Sequence, residues 1–267
     1  MAGFITDRVF CMGRPKGSEN AIPGRNLWTE EELDILRLGS LFRPLSYYAG
    51  IPMKLFFTSD LHWGHSKILE YEPNRLVLGD DVKQHDTALI KRINERVSSD
   101  DILIILGDVG LTDEGYLKSC RERINAKQVI IVRGNHDRKS DLQYMKMGFT
   151  FICYELVLKI AKEYVRLRHH PYQKPWWKTI FPWQYKERDR RKRPVDRGGF
   201  LLHGHSHSRQ ATRVIGRRIN VGIDMNNYYP LSMKDIEKTI YQIKEKEKKK
   251  RKESMFCFVW DWIKNLR

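Results

Sequence analysis

Three short apolar stretches, each running directly into small and polar residues, decide the fold of this chain. They are Lys54-Leu-Phe-Phe-Thr-Ser-Asp-Leu-His62, Ile102-Leu-Ile-Ile-Leu-Gly-Asp108 and Val129-Ile-Ile-Val-Arg-Gly-Asn-His-Asp137. Continuous apolar stretches of this length predict buried parallel strands. Because residues 82–97 have helical periodicity, the order of elements indicates an α/β unit.

The chain beyond residue 150 is expected to be rich in strands. Apolar or alternating segments predict strands at 151–158, 164–168 and 199–203, and a hairpin around 215–217. Ser232-Met-Lys-Asp235 has the pattern of a capping box, which predicts a helix that runs into the lysine-rich stretch 244–253. We expect an N-terminal arm, a domain, and a C-terminal helix with an aromatic tail, bounded at 1–52, 53–240 and 241–267.

The composition excludes several classes of protein. Of the 267 residues, 41% are hydrophobic, which suffices for a core, and the mean hydropathy is −0.58. No apolar stretch approaches the roughly 18 residues of a membrane span, and the N-terminus does not resemble a signal peptide. The four cysteines form no CxxC pair, which argues against a zinc ribbon or a disulfide framework. These features predict a cytoplasmic protein.

The positive charge is concentrated in one part of the chain. The net charge is +16, and residues 161–267 carry all of it, with 27 basic and 11 acidic side chains. Within them, residues 161–218 hold 16 basic and 4 acidic side chains. Such a concentration favours a polyanionic partner, most often nucleic acid. For the stretch 244–253, a solvated helix face explains the charge equally well.

Polar side chains with metal-binding chemistry follow the predicted strands. In sheets of this type, active sites form where strands end. The candidates are Asp60, His62, Asp108, Asn135, His169, His205 and His207. Two carboxylates, one amide and four imidazoles suit Mn, Fe, Zn or Co rather than a thiolate or an all-oxygen site. Seven ligands exceed what one tetrahedral ion takes and suit two ions with a bridging carboxylate.

These motifs resemble the signature of the calcineurin-like metallophosphoesterases, in the compact branch found in bacteria and phages. The matching motifs are Asp60-x-His62, Gly107-Asp108, Gly134-Asn-His-Asp137, His169-x-Pro171 and Gly204-His-Ser-His207. The resemblance covers roughly residues 53–240. It implies an α/β fold, a four-layer α/β/β/α sandwich, with a di-metal centre at one rim.

The resemblance also implies a role for each ligand. The first ion is expected to bind Asp60, His62, Asp108 and His207, and the second to bind Asp108, Asn135, His169 and His205. Mn is the leading expectation for both ions, with Fe, Zn, Co or Ni as alternatives. If the strand before His169 is regular, the neighbouring His170 points the other way.

A further histidine of the same motifs is the catalytic candidate. By resemblance, His136 lies near the phosphate, where it stabilises the transition state or protonates the leaving oxygen. The two ions would lower the pKa of a bridging water, whose hydroxide attacks phosphorus in line. His65, His203 and Asp137 are expected to support the ligands by hydrogen bonds.

Departures from the family pattern bear on the substrate. Protein phosphatases of the superfamily use GDxVDRG and GNHE, whereas this chain has Gly107-Asp-Val-Gly-Leu-Thr-Asp113 and GNHD. The Asp that normally supports the catalytic histidine is therefore missing, and Asp113 is the candidate to replace it. DNA-repair nucleases of the superfamily also use GNHD, but they add a long capping domain that is not found here.

The stretch between two ligand motifs is rich in aromatic and basic residues. Residues 171–198 form an insertion whose candidate substrate-binding residues are Trp176, Trp177, Arg188, Arg190, Arg191 and Arg193. Aromatic rings beside arginines suit stacking on bases and contact with phosphates. An insertion that packs on the sandwich with its charges in solvent is the equal alternative.

Both ends of the chain carry weaker signals. Residues 12–18, Met-Gly-Arg-Pro-Lys-Gly-Ser, resemble an AT-hook core without its usual preceding arginine, and 28–38 predicts a short helix. The alternative is an N-terminal arm packed on the core. The apolar tail 255–263 favours packing or a homodimer contact over rest on a membrane surface.

Three functional hypotheses follow. The first is a di-metal phosphoester hydrolase acting on a nucleic acid or nucleotide, as a nuclease or an end-processing phosphatase. The second is a phosphodiesterase for small nucleotides or cyclic nucleotides. The third is a non-catalytic nucleic-acid-binding scaffold, which is disfavoured because all seven ligands and His136 are retained.

Overall fold

Two β-sheets share one apolar core in a computed structural model of the protein. The structure describes residues 10–12, 53–173, 193–209 and 212–264. Within these ranges the chain alternates strands and helices up to residue 153 and is mostly β-structure from there to residue 232. The mixed α/β class predicted from the sequence is confirmed.

The five-stranded sheet contains the α/β unit. Numbered in chain order, its strands lie side by side as β11 (Leu231–Ser232), β2 (Leu55–Thr58), β3 (Ile102–Ile105), β4 (Gln128–Val132) and β5 (Phe151–Cys153). Strands β2 to β5 are parallel, and β11 pairs antiparallel with β2. The carboxyl ends of four strands therefore lie at one edge, where their following loops gather.

Helices cover the outer face of this sheet. They are α1 (Ile68–Tyr71), α2 (Val82–Asn94), α3 (Glu114–Glu122) and α4 (Asp141–Lys146), with a 3-10 turn at Pro73–Leu78. The Asp81 carboxylate accepts hydrogen bonds from the first turn of α2, and Ser140 with Gln143 forms a capping box on α4. Leu89 of α2 and Leu117 of α3 pack in one buried cluster with alternate residues of the sheet such as Leu103.

The six-stranded sheet faces the other side of the first. Its strands lie in the order β1 (Phe10–Met12), β6 (Glu155–Ile160), β7 (Glu163–Leu167), β8 (Phe200–His203), β10 (Arg218–Asn220) and β9 (Val214–Ile215). Strands β7, β8 and β10 are parallel neighbours. Ile104 and Ile130 of the first sheet pack with Leu167 and Leu202 of the second, so the sheets bury one common core.

A long helix, α5 (Met233–Lys264), closes the described part of the chain. The predicted capping box forms, because Asp235 N–H donates to Ser232 Oγ at 3.2 Å and Ser232 N–H donates to Asp235 Oδ2 at 2.9 Å. Ile236, Ile240 and Ile243 of α5 are buried in the core between the sheets. The boundary expected at 240 therefore falls inside one continuous, partly buried helix.

Two other expectations differ from the structure or lie outside it. The pattern of residues 1–27, with breakers such as Pro15 and Pro23, predicts loops, but Phe10–Met12 pair antiparallel with β6, because that edge of the sheet offers free backbone groups. The remainder of the AT-hook-like segment and the helix predicted at 28–38 lie outside the described residues. One helical layer lies on the five-stranded sheet, and the second outer layer of the four-layer sandwich stays a prediction.

A helix that crosses a membrane must be long and apolar. Within the described ranges, no helix is both long enough and apolar enough to cross a bilayer.

Candidate metal centre

The seven predicted ligands meet at one edge of the two sheets. Asp60 and His62 follow β2, Asp108 follows β3, and Asn135 follows β4. From the six-stranded sheet, His169 follows β7, and His205 and His207 follow β8. Both sheets present the carboxyl ends of parallel strands here, which is why residues up to 147 positions apart converge.

One group of donors centres on His207. Its Nε2 lies 3.3 Å from His62 Nε2 and 3.7 Å from Asp60 Oδ1, and His62 Nε2 lies 3.8 Å from Asp108 Oδ2. Asp60, His62 and His207 each offer one ligand atom within 4.8 Å of the others. These residues and Asp108 are the set predicted for the first ion.

The second group centres on His169. Its Nε2 lies 3.3 Å from Asp108 Oδ2, 3.0 Å from Asn135 Oδ1 and 3.2 Å from His205 Nδ1. The opposite nitrogen, Nδ1, is 2.8 Å from the carbonyl oxygen of Leu106, so its N–H donates there and Nε2 is left facing the group. Asp108 is common to both groups, as a bridging carboxylate requires.

The backbone around these donors is held in unusual conformations. Asp60, His62, Asp108, His205 and His207 all have positive φ, between 44° and 67°. Residues other than glycine rarely adopt this left-handed region, and such residues cluster at functional sites. Five of the seven candidate ligands have positive φ, which indicates that these loops accept backbone strain in order to orient the ligand side chains.

Glycines next to the ligands allow the loops to approach closely. A Cβ on Gly134 would lie 2.2 Å from Asp108 Oδ1 and 2.5 Å from Asp108 N. A Cβ on Gly204 would lie 2.3 Å from Asp60 Oδ2. Both distances are far below van der Waals contact, so the glycines in the GN and GH motifs are required by the ligands of neighbouring strands.

The site has strongly perturbed pKa values. Burial raises the pKa of Asp60, partly opposed by the nearby His207 and His169. Burial lowers the pKa of His169, but Asp108 and Asp60 outweigh it and bring the value to about 9. Burial, with the charge of His169, lowers the pKa of His205 to about 3. Opposite shifts of neighbouring groups in one buried site are typical of functional centres.

The donor set fits divalent metal ions. His62 Nε2 faces His207 Nε2, and His169 Nε2 faces His205 Nδ1, with carboxylate oxygens close to both pairs. The buried His62 Nδ1 has no hydrogen-bond partner among the described residues. Converging nitrogen and oxygen lone pairs in a buried space are what an ion of borderline hardness binds.

The catalytic candidate His136 lies at the edge of the donors. Its backbone N–H donates to Asp108 Oδ1 at 2.9 Å, and its half-buried ring lies edge-on to His62, with ring centroids 5.6 Å apart. The ring of His65 also lies 5.6 Å from the ring of His62. Within the described part of the chain, His136 belongs to neither donor group, and its ring lies beside them.

The other residues expected to support the ligands differ in what they contact. Asp137 accepts hydrogen bonds from the backbone N–H groups of Asp108 (2.8 Å), Val109 (3.1 Å) and Gly134 (2.7 Å), and thereby ties the loops after β3 and β4 together. His203 is buried and its Nδ1 lies 2.8 Å from the Gly204 carbonyl oxygen, so it braces the loop after β8.

Asp113, the candidate to replace the missing supporting aspartate, caps a helix. Its carboxylate is the N-cap of α3 and accepts from the Tyr116 N–H at 2.8 Å. The residue is thus engaged with the helix that it begins, and among the described residues no hydrogen bond joins it to His136.

Three residues of the centre were not anticipated from the sequence in these positions. His170, expected to point away, is buried and packs against His205, with tilted rings whose centroids are 4.4 Å apart, because β7 ends at Leu167 and strand alternation no longer applies. Burial lowers the pKa of His170 to about 2. Arg75 and Asp224 lie directly behind the ligands. The doubled histidine was the available signal for His170; Arg75 had none.

Of the candidate substrate-binding residues, Arg193 lies within the described ranges. It is half-buried, and its positive charge helps to lower the pKa of His205, after burial and the charge of His169, which indicates a position near the second group. The others, Trp176, Trp177, Arg188, Arg190 and Arg191, lie outside the described residues.

A two-sheet α/β fold with a candidate metal centre at the strand ends is the arrangement expected of a metal-dependent phosphoesterase. The model of the calcineurin-like phosphoesterase superfamily domain matches residues 53–223. The chain therefore belongs to the calcineurin-like phosphoesterase superfamily and is a metal-dependent phosphoester hydrolase.

Similar proteins include two from phages. The chain is 31% identical to the Gene 66 protein of Mycobacterium phage D29 over 210 residues, which cover 72% of this chain and 98% of that protein. It is 30% identical to the Gene 66 protein of Mycobacterium phage L5 over 188 residues, covering 63% and 86% respectively. A crystal structure of AQ665, a protein of unknown function from Aquifex aeolicus, covers 70% of this chain and all of its own, with 22% identity and a TM-score of 0.51.

Proposed function

We propose that this phosphoesterase binds two divalent ions, with Mn as the leading candidate, and hydrolyses a phosphoester of a nucleic acid or a nucleotide, as a nuclease or an end-processing phosphatase. The observation that carries the proposal is the pair of donor groups that share Asp108, one around His207 and one around His169. Two adjacent ions with a common carboxylate suit an in-line displacement at phosphorus.

The ligands on this chain fit that pair of ions. When bound, the ions would act as Lewis acids on the phosphoryl oxygens and would lower the pKa of a water molecule. Asp60, His62, Asp108 and His207 would hold one, and Asp108, Asn135, His169 and His205 the other. Asn135 is neutral, so the seven ligands include only two carboxylates, which offset two of the four positive charges of two divalent ions. The centre keeps a net positive charge for an anionic substrate.

His136 is positioned to donate a proton to the leaving group. Its backbone is pinned to Asp108 at 2.9 Å, while its half-buried ring is left beside His62 rather than within the donor groups. An imidazole at this place can protonate the leaving alkoxide, which otherwise departs as a strong base. The Asp137 carboxylate fixes the loop that carries His136 by its bond to Gly134 N–H.

The distribution of charge favours nucleic acid as the substrate. The basic excess of residues 161–218 surrounds the ligands His169, His205 and His207, whereas the first 160 residues are neutral overall. Arg193 brings one of these charges close to the second donor group. Several basic residues beside a phosphoesterase centre would attract and guide a polyanionic strand.

One panel of substrates tests the proposal. With Mn²⁺ added, the protein is assayed on bis-p-nitrophenyl phosphate, p-nitrophenyl phosphate, single- and double-stranded DNA, RNA, and 2′,3′-cyclic nucleotides. We expect turnover of the diester and of DNA or RNA, with the latter falling steeply as salt rises. Turnover confined to small monoesters would contradict the proposal.

A matched pair of variants examines the charge argument. Arg193→Ala is expected to weaken nucleic-acid binding and to reduce the salt slope of binding by about one. Arg197→Ala removes the same charge from an exposed residue four positions further along and serves as the control. Equal behaviour of the two variants would show that charge beside the centre does not guide the substrate.

A further inference from the structure

A fully buried arginine lies directly behind the first donor group. Arg75, in the 3-10 turn after α1, has an exposed fraction of 0%. Its Nε and Nη2 each donate to one oxygen of the Asp224 carboxylate, both at 2.7 Å. This is the bidentate geometry in which a guanidinium fixes both the position and the plane of a carboxylate.

The same carboxylate contacts a metal-ligand candidate. Asp224 Oδ2 lies 2.9 Å from His207 Nδ1, so the Nδ1–H donates to it and Nε2 is directed at His62 and Asp60. A carboxylate behind an imidazole ligand selects its tautomer, sets its ring plane and raises its basicity. Asp224 thus acts on the ring through the atom opposite the donor atom.

Arg75 also reaches a second residue of the group. Its Nη2 donates to the backbone carbonyl oxygen of Asp60 at 2.7 Å, and its Nη1 donates to that of Leu61 at 3.2 Å. Asp60 is one of the residues with positive φ, at 61°. The guanidinium therefore holds the strained loop after β2 at the residue whose side chain belongs to the donors.

The arginine is itself held from the helical layer. His85 Nε2 lies 3.4 Å from Arg75 Nη1, and His85 Nδ1 lies 2.8 Å from Asp86 Oδ1. Asp86 Oδ2 accepts from Gly64 N–H at 2.7 Å. One continuous buried network thus links α2 to the loops that carry Asp60, His62 and His207.

We propose that Arg75 and Asp224 are positioning residues that orient His207 and Asp60 for one ion only, the ion of the first donor group. The inference rests on the proposed two-ion function. The hydrogen bonds of Arg75 and Asp224 reach Asp60, Leu61, His85 and His207, and within the described part of the chain none joins either residue to Asn135, His169 or His205. Their loss should therefore act unequally on the two ions.

The test is a metal-binding isotherm. Asp224→Asn, Arg75→Lys and wild-type protein are stripped with chelator and titrated with Mn²⁺ by equilibrium dialysis. We expect two ions per wild-type chain. In the variants, we expect the dissociation constant of one ion to rise 10- to 100-fold and that of the other ion to stay unchanged. Arg75→Lys keeps the positive charge but loses the bidentate geometry of the guanidinium, so weaker metal binding in this variant would show that the geometry is required.

A matched control separates this role from general stability. Glu247→Gln breaks the Arg217–Glu247 pair, a bidentate contact of 2.9 and 2.7 Å between the turn after β9 and α5, and should leave both dissociation constants unchanged. Thermal unfolding of the metal-free proteins shows whether each variant is folded. Equal weakening of both ions, or no weakening in folded variants, would overturn the inference.

A second measurement does not depend on the variants. In the Zn²⁺-loaded wild-type protein, long-range ¹H–¹⁵N spectra report the tautomer of His207, and we expect the proton on Nδ1. A proton on Nε2 would overturn the inference. A wild-type protein that binds no ion at all would instead contradict the proposed function, so the two failures are distinguishable.

Discussion

Gly134 offers the sharpest perturbation of the centre, because a single methyl group there meets a bridging ligand. In Gly134→Ala the new Cβ would start 2.2 Å from Asp108 Oδ1 and 2.5 Å from Asp108 N, whereas real Cβ contacts essentially never fall below 3.0 Å. One of the loops must therefore move by about 0.8 Å, the difference between the two values for Oδ1. A flexible side-chain end could absorb this, but the backbone nitrogen of the same residue blocks the way.

A displacement of this size is large for a catalytic ligand. A misplacement of about 1 Å can lower a rate by about 100-fold. Because Asp108 belongs to both donor groups, we expect kcat/KM on bis-p-nitrophenyl phosphate to fall about 100-fold in Gly134→Ala. The Mn²⁺ concentration at half-maximal activity should rise at least 10-fold, since both ions lose a well-placed oxygen.

The control is the same substitution where the chain has room. A Cβ on Gly199 would have the Tyr172 hydroxyl as its nearest neighbour at 3.7 Å, an ordinary contact. Gly199→Ala should therefore keep wild-type kcat/KM and wild-type dependence on Mn²⁺. If Gly134→Ala kept kcat/KM within threefold of wild type, Asp108 would not be the shared ligand that the geometry indicates.

Three further changes are expected to separate chemistry, loop positioning and packing. His136→Ala should lower kcat by at least about 100-fold at unchanged metal content, and a metal-free or fully active variant would remove His136 from proton transfer. Asp137→Asn should lower the free energy of unfolding in urea by about 2–3 kcal/mol, because it removes a carboxylate that accepts hydrogen bonds from three backbone N–H groups. Tyr144→Phe removes a single, longer hydrogen bond to Asp137, of 3.3 Å, and should lower the free energy of unfolding by about 1 kcal/mol. Similar effects of the two would show that Asp137 does not tie the loops. Leu89→Ala, in the core beneath the helices, should lower the free energy of unfolding by about 2–5 kcal/mol, and the folded variant should keep the wild-type kcat. A drop in kcat would mean that this core also shapes the centre.

Much of the fold could be predicted because its signals are local. Ile102–Ile105 is apolar throughout and forms a strand buried on both faces, and the 82–97 pattern becomes α2, which ends at Asn94. The capping box at Ser232 starts α5 where expected. Strand pairing between distant segments leaves no such local signal, so the pairing of Phe10–Met12 with β6 was not anticipated.

The candidate ligands could be identified because each stands in a short motif after a strand. Their supports could not, since they depend on contacts between distant residues. Arg75 and Asp224 are 149 positions apart and meet only in the folded chain. His170 was misplaced for another reason: alternation of side chains was extended two or three residues beyond the end of β7, into backbone that no longer follows it.

The location of bound ions tests the central claim most directly. Crystals of the protein grown with Mn²⁺ would be measured for anomalous scattering at the Mn edge. Two peaks are expected, one among Asp60, His62 and His207 and one among Asn135, His169 and His205, with Asp108 in contact with both. A single peak, or two peaks of which Asp108 contacts only one, would contradict the shared two-ion centre.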